Sequence, residues 1–151
     1  MSTHYEKGTP AEVRALDAFI KLSRAKNRLD AVLDASMNEQ GLTGSQLGVL
    51  EALLHLGPMS QSGLCEKLLL SGGNLTLVVT NLEKAGHVKR GRTTEDRRVV
   101  IVSLTRDGRR FIERIFPAHA RRIAELLGAL TAAEQDTLGR LCKKLGLSIH
   151  V

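Results

Sequence analysis

The sequence predicts a mainly α-helical fold carrying one small β-hairpin. Helix starts of the cap-and-staple kind recur along the chain, each followed by apolar residues at helical spacing. Between two of these helices lie the β-branched runs VKRGR (88–92) and VVIVSL (99–104), separated by TTEDRR. The chain is 151 residues long and 42% hydrophobic, enough for one domain with a real core.

Residues 1–8 read as a flexible arm, and 9–151 as one domain. Thr9-Pro10-Ala11-Glu12 is a capping box with proline at the first helical position, a strong helix start. Val13, Leu16, Phe19, Ile20, Leu22, Leu29, Val32 and Leu33 then mark a long helix over about 10–40, stopped at Gly41. Thr43 and Gln46 repeat the capping logic, with Leu42 and Leu47 as the staple and Leu47, Leu50, Leu53 and Leu54 facing inward. Gly57-Pro58 breaks that helix. Ser60 caps a short helix whose Leu64, Cys65 and Leu68 point to the core.

Ser71 caps the next helix, where Leu75, Val78, Val79 and Leu82 repeat at i, i+3, i+4 and i+7. Gly86 stands where a left-handed residue would end it. A short helix, a turn and a helix over 60–85, followed by a hairpin, make a helix-turn-helix with a wing, so the head spans about 42–105. After Thr105 the pattern is helical again through Phe111, Ile112, Ile115 and Phe116. Pro117 predicts a kink or short break, beyond which Ile123, Leu126, Leu127 and Leu130 continue the stripe. Thr131 and Glu134 open a last helix with Leu138, Leu141, Cys142 and Leu145. The first and last thirds carry more apolar residues than one winged head can bury. Helices over about 10–40 and 106–147 are therefore expected to associate two subunits into a homodimer.

The outer side of the 71–85 helix carries Gly72, Gly73, Asn74, Thr76, Leu77, Thr80 and Asn81, with charge only at Glu83 and Lys84. Small and amide-bearing residues let another surface come close. Major-groove readout needs that, since Asn pairs with adenine, Thr serves several bases and an apolar side chain meets a thymine methyl. A helix packed on two sides would look the same by itself, and the hairpin tips the balance. Lys89, Arg90, Arg92, Arg97 and Arg98 gather near one loop, opposed only by Glu95 and Asp96. Asp96 can hold Arg98 in one orientation, and an arginine so held suits a narrow minor groove.

Composition points the same way. Lys and Arg total 22 against 16 acidic residues, a net charge of +6, which favours a polyanionic partner. No stretch approaches the roughly 18 apolar residues of a membrane span, and MSTHYEKGTP lacks a signal-peptide core, so a cytoplasmic protein without membrane contact is expected. Aromatics are 3% and Trp is absent, which argues against stacking on single strands and leaves double-stranded DNA.

Asp96-Arg97-Arg98, five residues, then Leu104-Thr105 resembles the D-x-R-x5-L-T wing motif of the MarR family of winged helix-turn-helix regulators. LTLVVTNLEKAGHVKR before it resembles that family's recognition helix running into the wing, and the likeness spans roughly residues 13–145. It implies a homodimeric repressor on a pseudo-palindromic operator, released by a small aromatic or phenolic effector. Ser60, Gln61, Ser71 and the following amides would meet phosphate. Asn74, Thr76, Leu77, Thr80 and Asn81 would meet bases. Lys89, Arg90, Arg92 and Arg97 would hold phosphates, and Arg98, oriented by Asp96, would enter the minor groove. Many relatives carry a basic residue where this chain has Leu77, which points here to a thymine methyl rather than guanine. The effector pocket is expected near Phe19, Arg24, His55 and Phe111.

Other chemistry finds less support. Cys65 lies beside Glu66 and Lys67 on an apolar stripe, Cys142 precedes Lys143 and Lys144 but also falls on the packed side, and the family's peroxide-sensing cysteine lies in a first helix that has none here. His55, His87 and His119 lack metal-ligand spacing, and no catalytic constellation or cofactor motif appears, so no metal, no cofactor and no enzyme are expected. A winged-helix module that binds an acidic protein and a thiol-based redox regulator remain the competing classes.

Overall fold

A computed structural model describes residues 7–150; of the expected arm, residues 1–6 lie outside the described residues. The chain divides into two compact units, Met1–Gly41 and Leu42–Val151.

Among the described residues the first unit holds one helix, α1 (Pro10–Asn38). Thr9 Oγ1 accepts the Glu12 amide and the Thr9 amide donates to the Glu12 carboxylate at 2.8 Å, so the capping box closes both ways. Lys21 pairs with Asp17 and Lys26 with Asp30 at i, i+4. Gly41 has φ +73°, the left-handed backbone that ends such a helix.

The second unit runs α2 (Gly44–Leu56), β1 (Met59–Ser60), α3 (Gln61–Leu68), α4 (Gly72–Lys84), β2 (Val88–Arg92), β3 (Val100–Leu104), α5 (Arg106–Leu127) and α6 (Ala132–Ser148). Its centre is α2, which packs on α3, α4, α5 and β3. Val49, Leu50 and Leu53 are sealed there together with Leu64, Leu75, Val79, Leu82, Val102 and Ile112. Each such side chain contributes about 1.5–3 kcal/mol on leaving water, which fixes the angle between α3 and α4. The inward residues read from the stripe of α4 are the ones buried, Leu75, Val78, Val79 and Leu82.

Three features depart from expectation. The hairpin gains a third strand: β1 pairs antiparallel with β3, Met59 opposite Val102 and Ser60 opposite Ile101, giving the order β1-β3-β2. Met59 and Ser60, the two residues after Pro58, are too few for alternation to show. Of the kink or short break expected at Pro117, the break is absent, and α5 is continuous through it. Proline removes one amide donor, and the Arg106–Phe116 turns and those after it are long enough to carry the helix across. Cys142 is exposed rather than packed, because no residue of α6 is buried within the chain.

Between α3 and α4 the chain turns at Leu69, φ 54°, the only non-glycine with positive φ among the described residues. A left-handed leucine costs on the order of 1 kcal/mol. The amide of Leu70 recovers part of that by donating to the Cys65 carbonyl at 3.1 Å.

Candidate nucleic-acid interface

Helix α4 is held at both ends. Ser71 Oγ accepts the Asn74 amide at 3.3 Å. At the other end Gly86 adopts φ +81°, its amide donates to Glu83 O and the His87 amide to Leu82 O, each at 3.0 Å. That pair of bonds is the Schellman cap, and it turns the chain sharply into the wing.

The side of α4 away from the core is open. Gly72, Gly73, Asn74, Thr76, Leu77 and Asn81 are exposed, and Thr80 is half-buried. A Cβ on Gly72 or Gly73 would meet nothing within 4 Å, so the glycines keep the surface low rather than make room for a neighbour. Leu77 is 61% exposed, an unusual place for a leucine. Two of this unit's helix N-termini carry the residues expected to meet phosphate. Ser60 Oγ accepts the Gly63 amide at 3.0 Å and caps α3, and Ser71 caps α4.

The wing tip is ordered by its own short bonds. Thr93 Oγ1 donates to Asp96 O at 2.7 Å and accepts the Asp96 amide at 3.0 Å. Arg92 donates from its guanidinium to the Arg97 carbonyl. The Asp96 carboxylate accepts the Arg98 amide at 3.0 Å and Arg98 Nε at 3.2 Å, so the expected pairing is present. Those bonds to Arg98 hold the Asp96 carboxyl below its ordinary pKa. The Arg98 side chain is 93% exposed beyond it. Lys89, Arg92 and Arg97 are exposed as well.

Arg90 behaves otherwise. The sequence places it among the phosphate-holding cations, yet its guanidinium is turned inward. Nε donates to Gln61 Oε1 at 2.9 Å, Nη1 to Glu83 Oε1 at 3.2 Å, and Nη2 to Thr76 O and Thr80 Oγ1 at 3.1 and 2.9 Å. Gln61 and Thr80, expected to face DNA, therefore spend polar atoms on Arg90. Sequence reasoning has no access to the Gln61 contact, which bridges 29 positions. Glu83 is legible only as part of the Leu82-Glu83-x-x-Gly86 signature.

The base of the wing locks to α5. Thr105 Oγ1 donates to Gly86 O at 2.6 Å and accepts the Gly108 amide at 2.9 Å, while its own amide donates to His87 O at 3.0 Å. The Leu-Thr that ends the motif is thus a helix cap fastened to the cap of α4. His87 stacks on Phe111, ring centroids 4.3 Å apart, and its buried Nδ1 has no hydrogen-bond partner among the described residues.

Burial pushes the pKa of His87 down, against the smaller upward pull of Asp107, and burial lowers His119 likewise, against Glu51. A lowered folded pKa means that the unfolded chain takes up the proton first. The stability from the neutral rings is complete above the unfolded value near 6.5 and is lost as pH falls through it toward the folded value. The unfolding midpoint should therefore drop between about pH 7.5 and about pH 5.5, and the drop should shrink in His87→Gln. An equal drop in that variant would remove His87 from the account.

The four expected pocket residues are divided between the units. Phe19 and Arg24 belong to α1 in the first. Within the second, Phe111 is taken up by His87, whereas His55 meets Phe116 edge-on at 5.0 Å. His55 also borders a depression of about 250 Å³ with Glu51, Ala52, Leu56, Lys67 and Leu68, and Phe111 is not among its lining residues.

Comparison with known proteins places this arrangement. Residues 40–99 match the model of the MarR family. The chain is 34% identical over 137 residues to the HTH-type transcriptional regulator MhqR of Bacillus subtilis, covering 89% of this chain and 93% of that one. Its structure is similar to that of BpsR of Bordetella bronchiseptica, a protein whose DNA binding is regulated by 6-hydroxynicotinic acid. There the TM-score is 0.76 at 28% identity, over 85% of this chain and 98% of the other. It is similar too to a mutant of Escherichia coli MarR in complex with operator DNA, with a TM-score of 0.71 at 27% identity, over 89% of this chain and 95% of the other.

Proposed function

This chain belongs to the MarR family of transcriptional regulators, and we propose that it is a ligand-responsive repressor that reads a pseudo-palindromic operator as a homodimer in the cytoplasm. It acts by binding rather than by catalysis. The observation that carries this reading is the coupling of two exposed surfaces. The small-residue side of α4 and the wing that ends in Arg98 are joined at the wing's base through Arg90. On this reading Ser60, Gln61, Ser71 and the amides of Gly72 and Gly73 approach phosphates. Asn74, Thr76, Leu77, Thr80 and Asn81 face bases, and Lys89, Arg92 and Arg97 flank the backbone.

The two-subunit reading is supported by α6, whose Leu138, Leu141 and Leu145 are 39–50% exposed on one stripe that water does not favour. The effector is a small aromatic or phenolic molecule, in keeping with the hydroxylated aromatic acid that regulates BpsR. His55 and Lys67, which border one depression of the second unit, are the first residues to test for it, Lys67 as the cation for an acidic group, and Phe111, Phe19 and Arg24 are tested separately. The effector acts only if it binds the free and DNA-bound arrangements unequally.

Selection of bound sequences from random duplexes tests the proposal. Two related half-sites about one helical turn apart are expected, with affinity falling steeply as salt rises. Leu77→Ala should relax a thymine preference in each half-site while changing affinity by only about 1 kcal/mol. Recovery of unrelated sequences from the wild type would remove the operator reading.

A further inference from the structure

We infer that Arg90 is a positioning residue that fixes the wing's angle on the recognition helix, rather than a contact to DNA. The inference rests on the DNA-reading proposal for its consequence but not for its geometry. Arg90 sits at the midpoint of β2, opposite Val102, which is fully buried and also pairs with Met59 of β1. Alternation puts Arg90 on the same face of the strand as the buried Val88, toward the head. From there its guanidinium bonds to α3 through Gln61 and to α4 through Thr76, Thr80 and Glu83. A guanidinium has five N–H donors in a rigid fork, and these contacts occupy all but one. Glu83 completes the clamp by accepting the Arg90 amide at 3.1 Å through its second oxygen, so backbone and side chain are tied to one carboxylate.

The electrostatics agree. Arg90 is paired with Glu83 at 3.2 Å and only 24% exposed, whereas Arg98 is 93% exposed. A neutralised pair at the wing's root adds little field for a phosphate, and the Glu83 carboxylate beside it would repel one. What the clamp supplies is direction. Beyond its pairing with β1 the wing is a two-stranded ribbon, marginally stable alone, and a lever fixed only by its ladder would let the Arg98 tip wander from the groove. With three elements converging on one side chain, the recognition surface of α4 and the wing tip move as one body.

Arg90→Lys tests this, because lysine keeps the charge but cannot fork. Amide exchange in β2 and β3 should quicken in the free protein, and discrimination between the selected operator and random duplex should fall about tenfold to a hundredfold, the size of one misread base pair. The slope of log affinity against log salt should stay at the wild-type value. A direct phosphate contact would instead be kept by lysine, and in Arg90→Met it would lower that slope by about one per subunit. That slope change, or exchange and discrimination equal to wild type in Arg90→Lys, overturns the inference. If Arg90→Lys does not fold, Glu83→Gln loosens the same clamp without touching the arginine and should show the same faster exchange and weaker discrimination. A wild type that prefers no duplex would defeat the operator proposal, while amide exchange still decides whether Arg90 holds the wing.

Discussion

Gly108→Ala is expected to destabilise the protein by about 3 kcal/mol, although alanine is the better helix former. Gly108 lies in the first turn of α5, in ordinary helical backbone, where propensity alone would favour the substitution by about 1 kcal/mol. The neighbourhood reverses the sign. A Cβ there would stand 1.8 Å from the His87 carbonyl oxygen, 2.6 Å from its carbon and 2.9 Å from its Cα. All three are main-chain atoms, and none can rotate away. That carbonyl accepts the Thr105 amide, and the His87 amide closes the cap of α4. An added methyl must therefore push α5 off the His87 backbone and open both caps. For a domain with about 5–15 kcal/mol in all, that is a large share. Denaturant unfolding checks it, with Gly73→Ala as the companion. Nothing lies within 4 Å of a Cβ on Gly73, so that variant should keep or slightly gain stability. Equal stability of Gly108→Ala and wild type would mean that the contact relaxes at no cost.

Arg98→Ala should weaken operator binding by about 1–3 kcal/mol for each wing, so that a dimer using both loses far more than tenfold. The side chain is almost wholly exposed, yet Asp96 holds it through its amide and Nε. Much of the ordering cost is thus met before DNA arrives. Inserted in a narrow groove, the guanidinium should favour A·T-rich flanks, and Arg98→Ala should lose that preference together with affinity. Asp96→Asn should give a smaller loss in the same direction, because the arginine keeps its charge but not its orientation. An electrophoretic titration in which Arg98→Ala binds like wild type would take the wing tip out of the interface.

Reading residues in order recovers the elements whose signals are short-ranged. The Thr9, Thr43 and Thr131 boxes close as their spacing implies, and the stripe of α4 is buried residue for residue. The Asp96–Arg98 bond spans two positions and is legible in the same way. What fails shares a different property. Arg90 looks like its neighbours Lys89 and Arg92 because composition cannot tell a cation aimed at solvent from one aimed at Gln61 and Thr80. Strand β1 leaves no trace in its own residues because its pairing is set by β3, some forty residues later. Of the kink or short break that Pro117 predicts, the break is overridden by the flanking turns of α5.

Local order alone, then, dictated where helices start and stop, which of their sides turn inward and where positive charge collects. Caps and stripes act within one or two turns, and such interactions leave a periodic trace in the residue order. Packing in three dimensions decided which cation holds the wing, that α5 comes within van der Waals reach of the His87 backbone at Gly108, and that Leu77 is left exposed. Those outcomes depend on the angles between elements, set by close packing of the core around α2, and side chains far apart in the chain meet only once that core has formed.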